Sequence, residues 1–97
     1  MRLTSQEIDA IRSCTLRAFG EDAVVRLFGS RPDDALRGGD IDLHIEREGG
    51  RPSAGLTAAF RAELAEQIGE RAIDLVFHAP GDVLRPIDRT AYAGIRL

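Results

Sequence analysis

Two aspartates one residue apart, Asp40 and Asp42, stand in the apolar segment DIDLHIE. In a β-strand alternate side chains share a face, so these two carboxylates point the same way, about 6.6 Å apart along the chain. Two converging carboxylates raise each other's pKa unless a cation lies between them. Magnesium takes oxygen ligands and commonly combines one or two protein carboxylates with substrate phosphates. The pair therefore predicts a magnesium site.

A third aspartate, Asp74, interrupts a second apolar segment, AIDLVF. Its neighbours in that segment predict a strand, and we expect Asp74 to lie near the first two aspartates. Three aspartates can hold two metal ions about 3.5–4 Å apart, an arrangement that serves phosphoryl transfer. Asp74 can also assist deprotonation of an attacking hydroxyl. The alternative is a structural ion pair between Asp74 and either Arg71 or Arg26.

A Gly-Ser pair, Gly29 and Ser30, ends the apolar segment upstream of the aspartates. A glycine at a strand end lets the backbone approach a ligand closely, and the following N–H groups and the Ser30 hydroxyl can hold phosphate oxygens. Arg31 can add a charge-assisted contact to phosphate. Ser30 can also cap the short turn that follows, and both roles are compatible. Together these residues predict a triphosphate site beside the metal.

Other interpretations of the same residues fail on residue type. A calcium loop of the EF-hand kind, counted from Asp40, would place His44, Ile45 and Arg51 where it needs an oxygen ligand, a glycine and a glutamate. A phosphate loop of the Walker type needs Gly-Lys, and all 13 basic residues of this chain are arginine. A phosphatase of the Asp-x-Asp type needs an apolar strand before its first aspartate, where this chain has two glycines.

Three further side chains invite a chemical role but are better explained by packing. His44 shares the face of the first two aspartates and His78 that of Asp74, and we expect both to pack beneath the helices that cover this face. Tyr92 is expected at a helix packing position. Cys14 is expected to be a partly buried core residue.

The composition bounds the class of protein. A chain of 97 residues with 43% hydrophobic and 30% charged residues predicts one globular domain over residues 1–97. A net charge of −3 argues against a broad basic nucleic-acid face. One cysteine cannot form an internal disulfide, no apolar run is long enough to span a bilayer, and the first residues do not resemble a signal peptide. We therefore expect a cytoplasmic protein without a membrane partner.

Hydrophobic periodicity predicts the elements that position these residues. Helices are expected over residues 4–19 and 53–68, the first opened by a capping box at TSQE, with a short final helix from Pro86 to Gly94. Strands are expected over residues 23–28, 40–46 and 71–77, and one helical turn at residues 33–37. The predicted fold is α/β, a small mixed sheet of about three strands covered by helices.

The segment LFGSRPDDALRGGDIDL resembles the signature of the DNA polymerase β-like nucleotidyltransferase superfamily, in particular its minimal branch. That signature is an apolar strand, Gly-Ser, a spacer, Asp-x-Asp in a second strand and an acidic residue on a later strand. Here the spacer is nine residues, and Gly39 stands where many minimal members have serine. The resemblance extends over essentially the whole chain, including its PI…A…GI.L ending, and implies a polymerase β-like palm core.

The resemblance implies a magnesium-dependent transfer of a nucleoside monophosphate, AMP from ATP, to a hydroxyl of an acceptor, with release of pyrophosphate. Asp40, Asp42 and Asp74 would hold two magnesium ions. Minimal members are often encoded beside a helical HEPN-domain protein, and some of these pairs are toxin–antitoxin systems. In the best-understood of them the small protein is the antitoxin and transfers AMP to a tyrosine of its toxin. Since larger members carry a second domain that this chain lacks, part of the pocket would come from the acceptor protein or from a second copy.

Two other functions compete with this interpretation. The chain can be a binding module, an antitoxin that silences its partner by occlusion and retains only a vestigial nucleotide site. An enzyme that adds nucleotides to RNA 3′ ends is disfavoured by the acidic composition and the lack of a basic or aromatic stripe.

Overall fold

The structure is a computed structural model, and it describes residues 3–29 and 41–97. Within these ranges the elements follow in the order α1 (Ser5–Phe19), β1 (Val24–Phe28), β2 (Ile41–Glu46), α2 (Ala54–Ile68), β3 (Ile73–His78), α3 (Pro86–Tyr92) and β4 (Ile95–Arg96). This confirms the predicted order of helices and strands. The helical turn expected at residues 33–37 lies outside the described residues.

Both long helices begin after a polar residue that caps them. The Thr4 hydroxyl accepts a hydrogen bond from the Glu7 N–H at 3.0 Å, and the Glu7 carboxylate accepts one from the Thr4 N–H at 2.8 Å. The predicted capping box is therefore confirmed. At the start of α2, the Ser53 hydroxyl accepts from the Leu56 N–H at 3.2 Å. Each predicted first residue is thus the cap, and the helix begins one residue later.

The strands form one mixed sheet in the order β3–β2–β1–β4. Strand β1 is antiparallel to both β2 and β4, whereas β2 and β3 are parallel. A parallel pair needs a crossover connection, which α2 supplies between β2 and β3. The α/β class and the mixed sheet are confirmed.

The sheet has one strand more than the three expected, because the last residues pair with β1. Residues Ile95 and Arg96 face Leu27 and Arg26 in the antiparallel register. A strand of two residues shows no alternation that a sequence could reveal, so β4 was predicted only as the tail after the last helix.

The core lies between one face of the sheet and the helices α1 and α2. Ile41, Leu43 and Ile45 of β2 are completely buried on this face, as the alternation of the strand predicts. The helices contribute further buried side chains, namely Ala10, Ile11, Cys14, Phe60 and Leu64. Cys14 is therefore a core residue, and burial raises the pKa of its thiol. The other face of the sheet carries Asp42 and its neighbours.

The short helix α3 packs against β1 and β2. Its Asp88 and Ala91 are fully buried, whereas Ile87 and the preceding Val83 and Leu84 are exposed. The segment therefore turns a charged residue inward and apolar residues outward. Since apolar residues normally face the core, this arrangement makes the contact between α3 and the sheet unusually polar.

Two arginines bind carbonyl groups of β3, which is an edge strand. The Arg61 guanidinium donates to the Ile73 carbonyl, and Arg85 Nη2 donates to the Phe77 carbonyl at 2.7 Å. Charged side chains along an edge oppose pairing with a further strand. Among the described residues no helix has the length and apolar character needed to cross a membrane, as the longest helices have 15 residues.

Candidate active site

Asp42 and Asp74 lie side by side at the start of the two parallel strands. They are direct register partners between β2 and β3, and neighbouring strands are about 4.8 Å apart. Register partners in a parallel pair project to the same face, so both carboxylates leave the sheet on the face opposite the core. Asp42 is half-buried and Asp74 is exposed. The structure thus brings together two of the three aspartates singled out in the sequence.

Gly29 lies against the carboxylate of Asp42. It follows the last residue of β1, Phe28, whose register partner is Asp42. A Cβ built on Gly29 would overlap Asp42 Oδ2 and lie 3.2 Å from its Cγ. The φ of Gly29 is +67°, a conformation that residues with a Cβ adopt at a cost. A glycine at position 29 is therefore favoured for two reasons, backbone conformation and the space taken by Asp42.

The rest of the predicted site falls in the part of the chain that the structure leaves undescribed. Ser30, Arg31 and Asp40 all lie outside the described residues. Within residues 3–29 and 41–97, no three histidine, cysteine or acidic side chains cluster around a common metal position. The described part of the site is therefore a pair of carboxylates with a glycine packed against one of them.

The described residues fit a magnesium ion by their chemistry. Asp42 and Asp74 both offer carboxylate oxygens, the ligands that this hard cation takes. Two carboxylates on adjacent strands repel each other, and a divalent cation between them removes that repulsion. The end of β1, at Phe28 and Gly29, also lies beside Asp42. The two carboxylates can hold a cation, and a phosphate group bound to that cation would lie near Gly29.

The alternative partners considered for Asp74 are engaged elsewhere. Arg71 Nη1 lies 2.6 Å from the Glu7 carboxylate, which joins the start of β3 to α1. Arg26 Nη1 lies 3.1 Å from the Glu46 carboxylate, and its guanidinium stacks 4.4 Å from the centre of the Tyr92 ring. These contacts weaken the interpretation of Asp74 as a structural partner of either arginine.

His44 is buried behind the candidate site and binds a carboxylate that sequence reasoning missed. Its Nε2 lies 2.9 Å from Oδ1 of Asp88, and both side chains are fully buried. Asp88 also accepts from the backbone N–H, Nε and Nη2 of Arg85 at 2.8–3.0 Å. The hydrogen bonds from Arg85, together with that from His44, hold the pKa of the Asp88 carboxyl well below its usual range. Asp88 is therefore ionised, and His44 Nε2 is the donor.

His78 belongs to the same polar layer beneath α3. Its Nε2 lies 3.2 Å from the Asp82 carbonyl and 3.3 Å from the Val83 carbonyl, so this nitrogen donates. Its Nδ1 forms a hydrogen bond with the Tyr92 hydroxyl at 3.2 Å. Burial, followed by the nearby Glu46 carboxylate, raises the pKa of Tyr92. Both histidines and Tyr92 thus pack as expected.

The sequence carries a local signal for the position of Asp88. The segment RPID places an acidic residue at the third position of a helix that opens with Pro86, a position from which it can bind the backbone at the helix start. The pairing with His44 joins residues 44 positions apart, which no local pattern indicates.

Comparison of the chain with protein-family models, with curated proteins and with solved structures found no match in any of the three.

Proposed function

We propose that the chain is a magnesium-dependent nucleotidyltransferase that moves a nucleoside monophosphate, AMP from ATP, to a hydroxyl of an acceptor. One observation carries the proposal: Asp42 has Asp74 as its neighbour in the parallel register and has Gly29 packed against its carboxylate. A carboxylate pair suits a magnesium ion, and a glycine beside it leaves room for the backbone to approach a phosphate. The polymerase β-like palm core and the minimal branch belong to the same proposal.

Each site residue has a role in this proposal. Asp40, Asp42 and Asp74 would hold magnesium, which when bound neutralises phosphate charge and favours the in-line displacement. Gly29, Ser30 and Arg31 would bind the triphosphate. Asp74 is the exposed member of the pair, and in this proposal it would accept the proton of the incoming hydroxyl.

The reaction is balanced by one bond made and one broken. The acceptor oxygen forms a bond to the α-phosphorus, the bond from that phosphorus to the bridging α–β oxygen breaks, and pyrophosphate leaves. The acceptor proton passes to Asp74. Because the transferred group changes little covalently, positioning and charge neutralisation account for most of the acceleration in such reactions.

The acceptor in this proposal is a partner protein such as a HEPN-domain toxin. The exposed apolar side chains before and within α3 support a protein partner, because Val83 is 88% exposed and Ile87 40% exposed. A second copy of the chain is the other way to complete the pocket.

The proposal is tested by transfer of label from ATP carrying a radioactive α-phosphate, with magnesium, in lysate of the native host. Wild type, Asp42→Asn and the control Asp22→Asn are compared, since Asp22 is exposed in the turn before β1. We expect a labelled protein band with wild type and with Asp22→Asn, and none with Asp42→Asn. Equal labelling with Asp42→Asn would overturn the assignment.

The second candidate is a binding module that neutralises its partner by occlusion. The outward apolar residues Val83, Leu84 and Ile87 favour it, because they suit protein contact and require no chemistry. The double variant Asp40→Asn with Asp42→Asn separates the two functions. Loss of partner neutralisation in this variant supports the enzyme, and full neutralisation supports the binding module.

A further inference from the structure

The contact between α3 and the sheet ends beside the candidate site. His44 is fully buried, lies two residues after Asp42 on the same face of β2, and donates to Asp88 of α3. Asp88 in turn is held by Arg85 at the start of that helix. A chain of hydrogen bonds therefore connects α3 to the strand that carries Asp42.

The ring of His44 also contacts the end of β1. The rings of His44 and Phe28 meet edge to face, with centroids 6.4 Å apart and planes at 83°. Phe28 is the register partner of Asp42 and precedes Gly29 directly. From the other side Gly94 approaches Phe28 so closely that a Cβ on Gly94 would lie 3.1 Å from the Phe28 Cβ. Phe28 is thus held between His44 and the residues that follow α3.

Filling the space does not explain a histidine here. An apolar side chain of similar size would occupy the same volume, and within the described residues His44 Nδ1 is buried without a hydrogen-bond partner. A buried nitrogen in that state costs stability. Histidine differs from an apolar residue in that its hydrogen bond to Asp88 fixes the orientation of the ring against Phe28.

We propose that His44 is a positioning residue, which through Asp88 and Phe28 sets the placement of Gly29 and Asp42 for magnesium and the triphosphate. The inference rests on the proposed function, and it deepens that function by naming a residue outside the metal and phosphate contacts. Residues that hydrogen-bond to metal ligands commonly alter affinity or activity by about 10- to 100-fold when replaced. His44 acts through Phe28, one contact further away, so we expect an effect at the lower end of that range.

The test compares three variants in binding of magnesium with ATP and in label transfer. His44→Gln keeps a donor that can reach Asp88, whereas His44→Met does not. His78→Met is the matched control, because His78 is also buried on this face but forms its hydrogen bonds with Tyr92 and loop carbonyls, and its Nε2 lies 3.9 Å from Oδ2 of Asp88. We expect about a 10-fold or larger loss in His44→Met, with His44→Gln within about 3-fold of wild type. His78→Met should lose stability and keep its affinity.

Thermal unfolding is recorded for every variant, and binding is measured well below each midpoint. Three results would overturn the inference. They are wild-type affinity for magnesium with ATP in His44→Met, a loss of affinity in His44→Gln equal to that in His44→Met, or an equal loss of affinity in His78→Met. If wild-type protein neither binds magnesium with ATP nor transfers label, the proposed function fails first. In that case the positioning role of His44 is tested by the amide NMR signals of Gly29 and Asp42. We expect these signals to shift in His44→Met and to stay unchanged in His78→Met.

Discussion

The carboxylate of Asp42 occupies the space into which a side chain at Gly29 would project. Gly29 has φ +67°, and its missing Cβ would overlap Asp42 Oδ2. Because Phe28 and Asp42 are register partners in the antiparallel pair, this contact follows from how β1 and β2 pair. Gly29 and Asp42 are thus parts of one local structure.

Gly29→Ala should therefore impair both stability and ligand binding. Gly50→Ala is the matched control, since Gly50 also has φ +67° but a Cβ there would make only ordinary contacts with Ala79, at 3.7 Å or more. Left-handed backbone costs each alanine about 1–2 kcal/mol. Only Gly29→Ala must also displace Asp42, and we expect it alone to lose binding of magnesium with ATP. Chemical denaturation and calorimetry measure the two effects. Equal binding by both variants would contradict this expectation.

Magnesium with a non-hydrolysable ATP analogue should stabilise the wild type. A ligand present at about 100 times its Kd adds about 2.7 kcal/mol, which corresponds to a rise in Tm of about 10 °C or more in a domain of this size. EDTA should abolish the rise, as should Asp74→Asn, because that variant loses half of the carboxylate pair. Asp22→Asn should respond like the wild type. Thermal scans with and without EDTA decide this, and an unchanged rise in Asp74→Asn would exclude that residue from the site.

Acid should reveal the contribution of Asp88. Its hydrogen bonds with Arg85 hold its pKa below the ordinary value of 3.8, so its stabilising effect is complete above that pH and is lost as the pH falls towards the folded-state pKa. Asp88→Asn should cost about 1–3 kcal/mol at pH 7, because it removes the charge that Arg85 and His44 bind. Urea unfolding at a series of pH values should show this difference shrinking below about pH 4. A difference that stays constant into acid would contradict the assigned pairing.

Gly94→Ala should destabilise the packing of α3 against β1. A Cβ at Gly94 would overlap the Leu27 carbonyl oxygen and crowd the Ala91 carbonyl oxygen at 3.0 Å. Such overpacking costs about 1–3 kcal/mol. Gly55→Ala is the control, because Gly55 lies in α2 with open space around it and alanine favours a helix. Denaturant midpoints should fall for the first variant and rise or stay unchanged for the second; a fall of equal size in both would show that the packing argument is wrong.

The sequence predicts the helices and long strands well because local forces determine them. The capping residues Thr4 and Ser53 mark helix starts, and the alternation of Ile41, Leu43 and Ile45 identifies the buried face of β2. These features depend on residues a few positions apart. The placement of Asp42 on the face opposite the core follows from the same alternation.

Other parts of the structure depend on contacts that no local pattern contains. The neighbouring positions of Asp42 and Asp74 require the parallel register of β2 and β3, which α2 sets from a distance. The pairing of His44 with Asp88 requires α3 to fold back over the sheet. Strand β4 exists only because β1 provides a partner for it. Ser30, Arg31 and Asp40 lie outside the described residues and remain predictions.

The most direct test of nucleotidyl transfer is which phosphate of ATP reaches the acceptor. Parallel reactions contain magnesium, the purified acceptor protein and ATP labelled at either the α-phosphate or the γ-phosphate. Each reaction is run with wild type, with Asp42→Asn and with Asp74→Asn. We expect label from the α position only, with release of pyrophosphate, and loss of label in both variants. Label from the γ position, or undiminished label with either variant, would contradict it.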